Sequence, residues 1–210
     1  MTQRIRLTYQ KGEELRYTGN LDMHKVWERT FRRAALPLAY SQGFHPQPRL
    51  NQACPLPLGF TSTCEMLDFW LEGELALEEF RQRLEAAVQP GITISEMRQV
   101  ALNLKPLQTR VVSSVYGIEL TDEYLYSDNR QKLDQLLEKE VCLRERRGKP
   151  YDLRPLIESI KLIDQPRPTL EMTLKTMPGA TGRPEEVLEE LGIPPYEVDV
   201  VRTALLLTEE

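Results

Sequence analysis

The sequence is poor in the residues that carry most enzyme chemistry. Two histidines, His24 and His45, and three cysteines, Cys54, Cys64 and Cys142, occur in 210 residues. The cysteines are widely spaced and form no C-x-x-C pair. That speaks against a disulfide framework and against zinc spacing, so no metal site is expected. They read as small buried hydrophobes of a reducing compartment. No three-cysteine motif is present, so this chain cannot by itself hold the iron–sulfur cluster of a radical S-adenosylmethionine enzyme. A Walker loop, a G-x-G-x-x-G turn and an H-E-x-x-H helix are also missing. No apolar run approaches the roughly 18–20 residues that span a bilayer, and no secretory signal pattern appears at the start. The expectation is a cytoplasmic protein with no membrane contact and no cofactor of its own.

Overall positive charge is lacking too: 27 Lys and Arg stand against 32 Asp and Glu, a net charge of −5. The deficit is uneven. Residues 1–50 sum to +5 and residues 51–210 to −10. A basic first quarter on an acidic remainder is a local electrostatic footprint, open to nucleic acid or to an acidic protein surface.

What is present is concentrated between Arg16 and Arg49. Asn20 or Asp22 suits a helix N-cap. Behind it Met23, Val26, Trp27, Thr30, Phe31 and Ala34 recur at spacings of three and four, which predicts one apolar face on a helix over 20–35. Lys25, Arg29, Arg32 and Arg33 fall opposite. A solvated surface face would give the same pattern. From Leu36 the chain meets Pro37, Gly43, Pro46 and Pro48, which predict a loop without regular structure. Tyr40, Phe44, His45 and Arg49 in that loop are types that stack on unpaired bases or grip phosphate. The alternative is a loop that buries Tyr40 and Phe44. With Arg16, these residues make the candidate nucleic-acid surface. The candidates for catalysis are few: His24 and His45 as general acid or base, Lys11 or Arg49 against an anion, and an Arg16–Asp22 pair.

The remaining pattern predicts α+β architecture. Ile5, Leu7 and Tyr9 alternate with Arg4 and Arg6, and Leu67, Phe69 and Leu71 alternate with Asp68 and Trp70. A helix with Leu77, Phe80, Leu84 and Val88 inward follows, then a strand from Ile92. This order, β-α-β-β-α-β, predicts a ferredoxin-like domain over 1–104. Arg4, Arg6 and Trp70 would then lie on the open face of its sheet. Residues 105–210 repeat the order. A strand carries Val112, Ser114, Tyr116, Ile118 and Leu120. Ser127 caps a helix with Leu133, Leu136, Leu137 and Val141 inward. Arg144 to Lys149 read as a basic turn. Leu170, Met172 and Leu174 mark another strand, and Gly182-Arg183-Pro184 starts a helix. Two tandem ferredoxin-like (βαββαβ) domains are the simplest account.

At Arg16–Glu65 the sequence also resembles a known but uncharacterised family, the radical SAM-linked proteins, which carry the domain of unknown function 2344. Members look like Y-x-K-x-x-x-x-R-(F/Y)-x-x-H-L-D, then R-R-A-x-L-P-x-x-Y-S-x-G-F-x-P-x-P-R, then L-P-L-G and an acidic residue. Here the matches include Tyr9, Lys11, Arg16, Tyr17, Leu21, Asp22, Arg29, Arg32, Arg33, Tyr40, Ser41, Gly43, Phe44, Pro46, Pro48, Arg49, Leu56 to Gly59 and Glu65. Asn20 stands where the family often has His. Arg154-Pro155, Gly182-Arg183-Pro184 and Arg202 extend the match into the second half. The resemblance implies a radical SAM protein as partner, with S-adenosylmethionine and the iron–sulfur cluster carried there. Together with the basic helix and aromatic loop, it leads to the expectation of a protein that binds structured RNA and presents it to that partner. An RNA-processing or RNA-modifying enzyme using His24 or His45, and a module docking an acidic protein, are the alternatives.

Overall fold

Alternation makes the first strand and sets its two faces. In Thr2–Lys11 (β1), Ile5, Leu7 and Tyr9 point one way and are at most 2% exposed. Thr61–Glu72 (β3) pairs with it antiparallel, Leu7 opposite Leu67 and Ile5 opposite Phe69, so the two apolar sets share a face. Onto that face Asn20–Arg33 (α1) lays Met23, Trp27 and Phe31, and Leu77–Glu85 (α2) adds Phe80 and Leu84. The aromatic rings run in a chain. Centroids of Tyr9 and Trp27 are 4.8 Å apart, of Trp27 and Phe31 5.6 Å, and of Phe31 and Phe69 4.6 Å. Burial of each such side chain stabilises by about 1.5–3 kcal/mol, before the edge-to-face preference of the ring pairs is added.

The computed structural model describes residues 2–73, 76–120, 124, 129–163, 167–177 and 179–208, and it is of mixed α+β class. The chain divides into two compact units, Met1–Val111 with Thr208–Glu210, and Val112–Leu207. In the first, Leu50–Gln52 (β2) and Ile92–Val100 (β4) complete the sheet in the order β4-β1-β3-β2. Every pair of this set is antiparallel. The residues after Leu104 stay with this unit: the carbonyls of Leu104 and Lys105 accept from Arg4, and Gln108 accepts from Asn51.

The second unit runs through Val111–Glu119 (β5), Asn129–Glu138 (α3), Leu143–Arg146 (β6) and Lys149–Asp152 (β7). It continues through Ile157–Ile163 (β8), Thr169–Met177 (β9), Ala180–Thr181 (β10), Pro184–Glu190 (α4) and Val200–Leu207 (β11). Its sheet order is β11-β5-β9-β8, with β10 also on β9. Tyr116, Ile118, Leu170, Met172 and Leu174 are buried along it, as are Leu133 and Leu136 of α3 and Val187 and Leu188 of α4. Pro184 sits in the first turn of α4, where its missing N–H costs nothing.

Several expectations need correcting. The N-cap of α1 is Gly19 with no side-chain bond, so neither Asn20 nor Asp22 caps it, and the helix ends at Arg33. Ser127 lies outside the described residues. Val141 is 56% exposed, because α3 stops three residues before it, and Leu77 is 38% exposed at the first position of α2. Arg144 to Lys149 is a two-stranded hairpin, not a turn alone. Arg147 and Gly148 take φ of +54° and +73°, the left-handed pair that matches the twist of a two-residue hairpin. Its arginines hold it to α4: Arg146 Nη2 lies 2.7 Å from Glu186 Oε2, and Arg144 pairs with Glu189 and Glu190. Burial, with help from Glu186, pushes the Tyr151 phenol up to about 12.

The face holding Arg4 and Arg6 is not open. Both side chains are at most 2% exposed. Arg4 Nε and Nη2 donate to Asp68 Oδ2 at 3.0 and 2.6 Å, and Arg6 Nε and Nη2 donate to the same carboxylate at 2.8 and 3.0 Å. Arg4 Nη1 donates to Leu104 O at 2.6 Å. The alternation was right and the solvent exposure was not, because the segment around Leu104 covers the charges.

A basic helix and a clasped finger as candidate nucleic-acid interface

The amphipathic pattern of α1 turns one flank to solvent, and that flank is cationic. The side chains of Arg29 and Arg32 are exposed and make no ion pair or hydrogen bond with the described residues. Lys25 is 63% exposed, with Asp22 Oδ1 3.6 Å away. Arg33 is anchored. Its Nε and Nη2 donate to Ala87 O at 3.2 and 2.8 Å, and Nη2 also reaches Thr30 Oγ1 at 3.2 Å. A carbonyl does not cancel its charge, so Arg33 presents a fixed cation. Arg16 donates to Gly59 O at 2.7 Å and pairs with Glu13 at 3.2 Å, while Asp22 pairs with Lys25 at 3.6 Å.

The proline-rich loop is held like a strand hairpin. Ala39 N–H donates to Trp70 O at 2.8 Å, Arg49 N–H to Ala39 O at 2.9 Å and Trp70 N–H to Arg49 O at 3.2 Å. Higher up, Ser41 N–H donates to Gln47 O at 2.8 Å, Gln47 N–H returns to Ser41 Oγ at 3.0 Å, and Tyr40 bridges Pro48. Gly43 turns the tip with φ +133° and open space where a Cβ would stand. The finger so formed leaves Phe44 fully exposed, at 103%, and Tyr40 at 50%; His45 is exposed beside Phe44. Neither ring packs into the core, so the burying loop is excluded for Phe44.

Sequence reasoning missed the support under Arg49. Its guanidinium lies 4.6 Å from the Trp70 ring centroid, and that of Arg4 lies 4.9 Å from it. Cation–π contact of this kind holds a side chain in place while leaving its N–H groups for a ligand. The connection therefore runs from Asp68 through Arg4 and Trp70 to Arg49 at the finger's base. A Trp alternating with buried residues on β3 was the available signal, but only the fold shows which cations meet it.

The catalytic candidates occupy ordinary settings. His24 Nε2 is 3.3 Å from Glu28 Oε1, one helical turn on, and is 35% exposed. His45 sits on the finger and Asp22 on the helix surface. Among the described residues no group of three or more His, Cys, Asp or Glu is placed to hold a metal, and no helix is long and apolar enough to cross a membrane.

Taken together, the architecture and surface define an α+β protein with a basic helix and an aromatic finger. The chain belongs to the family described as "Uncharacterized protein conserved in bacteria (DUF2344)", whose model matches residues 4–184. No curated protein matches the chain. Among solved structures, an unknown protein from Galdieria sulphuraria aligns at 13% identity over 100% of both chains with a TM-score of 0.30. A putative glycine cleavage system transcriptional repressor aligns at 12% identity over 100% of this chain and 99% of that one, TM-score 0.27. Scores this low establish no shared fold.

Proposed function

We propose that this protein binds structured RNA through α1 and the finger, and presents it to a radical S-adenosylmethionine protein that carries the cofactor and cluster. The observation that carries the reading is the pair of exposed, unneutralised arginines, Arg29 and Arg32, on the helix leading into a preformed finger with Phe44 at its tip. Cations supply sequence-independent phosphate affinity, and exposed rings stack on unpaired bases. The radical SAM partner rests on the family resemblance at Arg16–Glu65, and a cytoplasmic location on the few, widely spaced cysteines. In the same reading the two units are tandem ferredoxin-like domains; the strand orders β4-β1-β3-β2 and β11-β5-β9-β8 support this.

Salt dependence tests it. Binding of a stem–loop RNA pool, followed by fluorescence anisotropy at rising salt, should show a steep slope. Arg29→Ala/Arg32→Ala should flatten the slope by about 1.4 in log–log terms, about 0.7 for each lost phosphate contact. Affinity and slope equal to wild type would reject the reading. The same exposed cations and Phe44 suit an acidic protein surface. Co-purification of the radical SAM protein that survives nuclease treatment, with no RNA affinity in the pure chain, would favour that second reading.

A further inference from the structure

One side of β4 is an edge. The strand is bonded to β1, and among the described residues no strand lies on its other side. The run Ile92–Val100 therefore presents a row of main-chain donors and acceptors outward. Sheet edges are commonly kept from pairing by shortness, proline or lysine. β2 is short, at three residues. β4 has nine, and its sequence ITISEMRQV contains neither proline nor lysine. It carries two other devices, a bulge and a pair of opposite charges.

The bulge bounds the usable edge. Thr8 stands opposite Glu96 and Tyr9 opposite Ile94, so Ser95 is the extra residue, and its hydroxyl donates to Thr8 O at 3.0 Å. A bulge bends its strand and interrupts the ladder there. From Glu96 to Val100 the pairing with β1 runs without a slip. The charges fall inside that regular stretch. Glu96 and Arg98 are 60% and 45% exposed, with Arg98 Nε 3.5 Å from Glu96 Oε1. An exposed pair at this distance adds little to the stability of one chain. Its placement about Met97 matters more. An antiparallel copy of β4 centred on Met97 sets Glu96 of each chain opposite Arg98 of the other. Centred on Glu96 or on Arg98 instead, it sets like charges face to face. A slip of one residue turns the buried Met97 towards the wrong face of the sheet. Opposite charges directly across a ladder stabilise it and like charges destabilise it, so one register is selected.

We infer that β4 is an interface between two copies of this chain, joined edge to edge in antiparallel register about Met97. Main-chain hydrogen bonds supply the affinity, and the two Glu96–Arg98 pairs supply the register. The contact is the same patch on both copies, so it closes on itself. Residues opposite one another in a ladder share a face, so the two sheets continue into one with both α1 helices on the same side. On the RNA-binding reading, two cationic flanks then face one way; the interface itself does not depend on that reading. A single strand pair buries less than an obligate dimer does, so assembly should depend on concentration.

Sedimentation velocity of the full chain, from micromolar to submillimolar protein, should show a mass rising from 24.3 kDa towards twice that value. Arg98→Glu sets carboxylates against carboxylates, and Glu96→Arg sets guanidiniums against guanidiniums. Each should weaken association about tenfold or more. Mixing the two variants should restore it, because each supplies the charge the other lacks. The double swap Glu96→Arg/Arg98→Glu in one chain should restore it too. Both side chains are exposed, so circular dichroism should show every variant folded as wild type. A wild-type chain that stays monomeric throughout overturns the interface. So does a dimer that neither single variant weakens, or a loss that neither the mixture nor the double swap repairs.

Discussion

Asp68→Asn asks how much depends on one carboxylate. Asp68 is 0% exposed and accepts four charge-assisted bonds, at 2.6–3.0 Å, from Arg4 and Arg6. The amide keeps the shape and removes the charge, leaving two guanidiniums under the strand with no anion between them. Breaking a buried pair in this way costs about 3–5 kcal/mol. Folded proteins hold about 5–15 kcal/mol in total, so the loss is a large part of the whole. At about 2–4 °C per kcal/mol for a chain of this size, the midpoint should fall by about 6–20 °C. Thermal scans by circular dichroism would measure it. The near-ultraviolet signal should change as well, since Arg4 lies against Trp70. A fall below about 2 °C, with that signal intact, would show that the carboxylate is not what holds the two cations.

Other outcomes follow from the same coordinates. Phe44→Ala should leave stability within about 0.5 kcal/mol, because the ring buries nothing, while RNA affinity falls by about 1–3 kcal/mol if a base stacks there; calorimetry and anisotropy together separate the two. Tyr151 has its phenol raised to about 12 in the fold from an ordinary value of 10. The neutral form is the one the fold favours, so its contribution is complete below pH 10 and is lost as pH rises through about 12. Melting temperatures taken across that window should fall less steeply for Tyr151→Phe than for wild type.

How much of this could be read beforehand depended on the distance over which each feature is decided. Strand faces such as Ile5-Leu7-Tyr9 and Leu170-Met172-Leu174 were legible, since a period of two is local and burial enforces it. So was the helix face of Met23, Trp27 and Phe31. The fate of Arg4 was not, because its partners lie 64 and 100 residues away. The finger was hidden for another reason. Pro46, Pro48 and Gly43 read as irregularity, yet the rungs use the residues that alternate with or flank them, Ala39 and Ser41 on one side, Gln47 and Arg49 on the other. The β6–β7 hairpin was within reach: Arg147-Gly148 between short alternating runs is a turn signal that pointed to paired strands. Of the candidate site, the cationic flank was visible from spacing, whereas the Trp70 support under Arg49 required the fold.

The rungs at the base of the finger bear on kinetics. A loop that must order on contact delays capture and loses entropy at that moment; one already zipped at Ala39–Arg49 and Ser41–Gln47 does neither. On the proposed RNA-binding reading, encounter is then governed by the charge of Arg29 and Arg32, and residence by the grip of Phe44. Changes at the helix should show up in association rates and changes at the tip in dissociation rates.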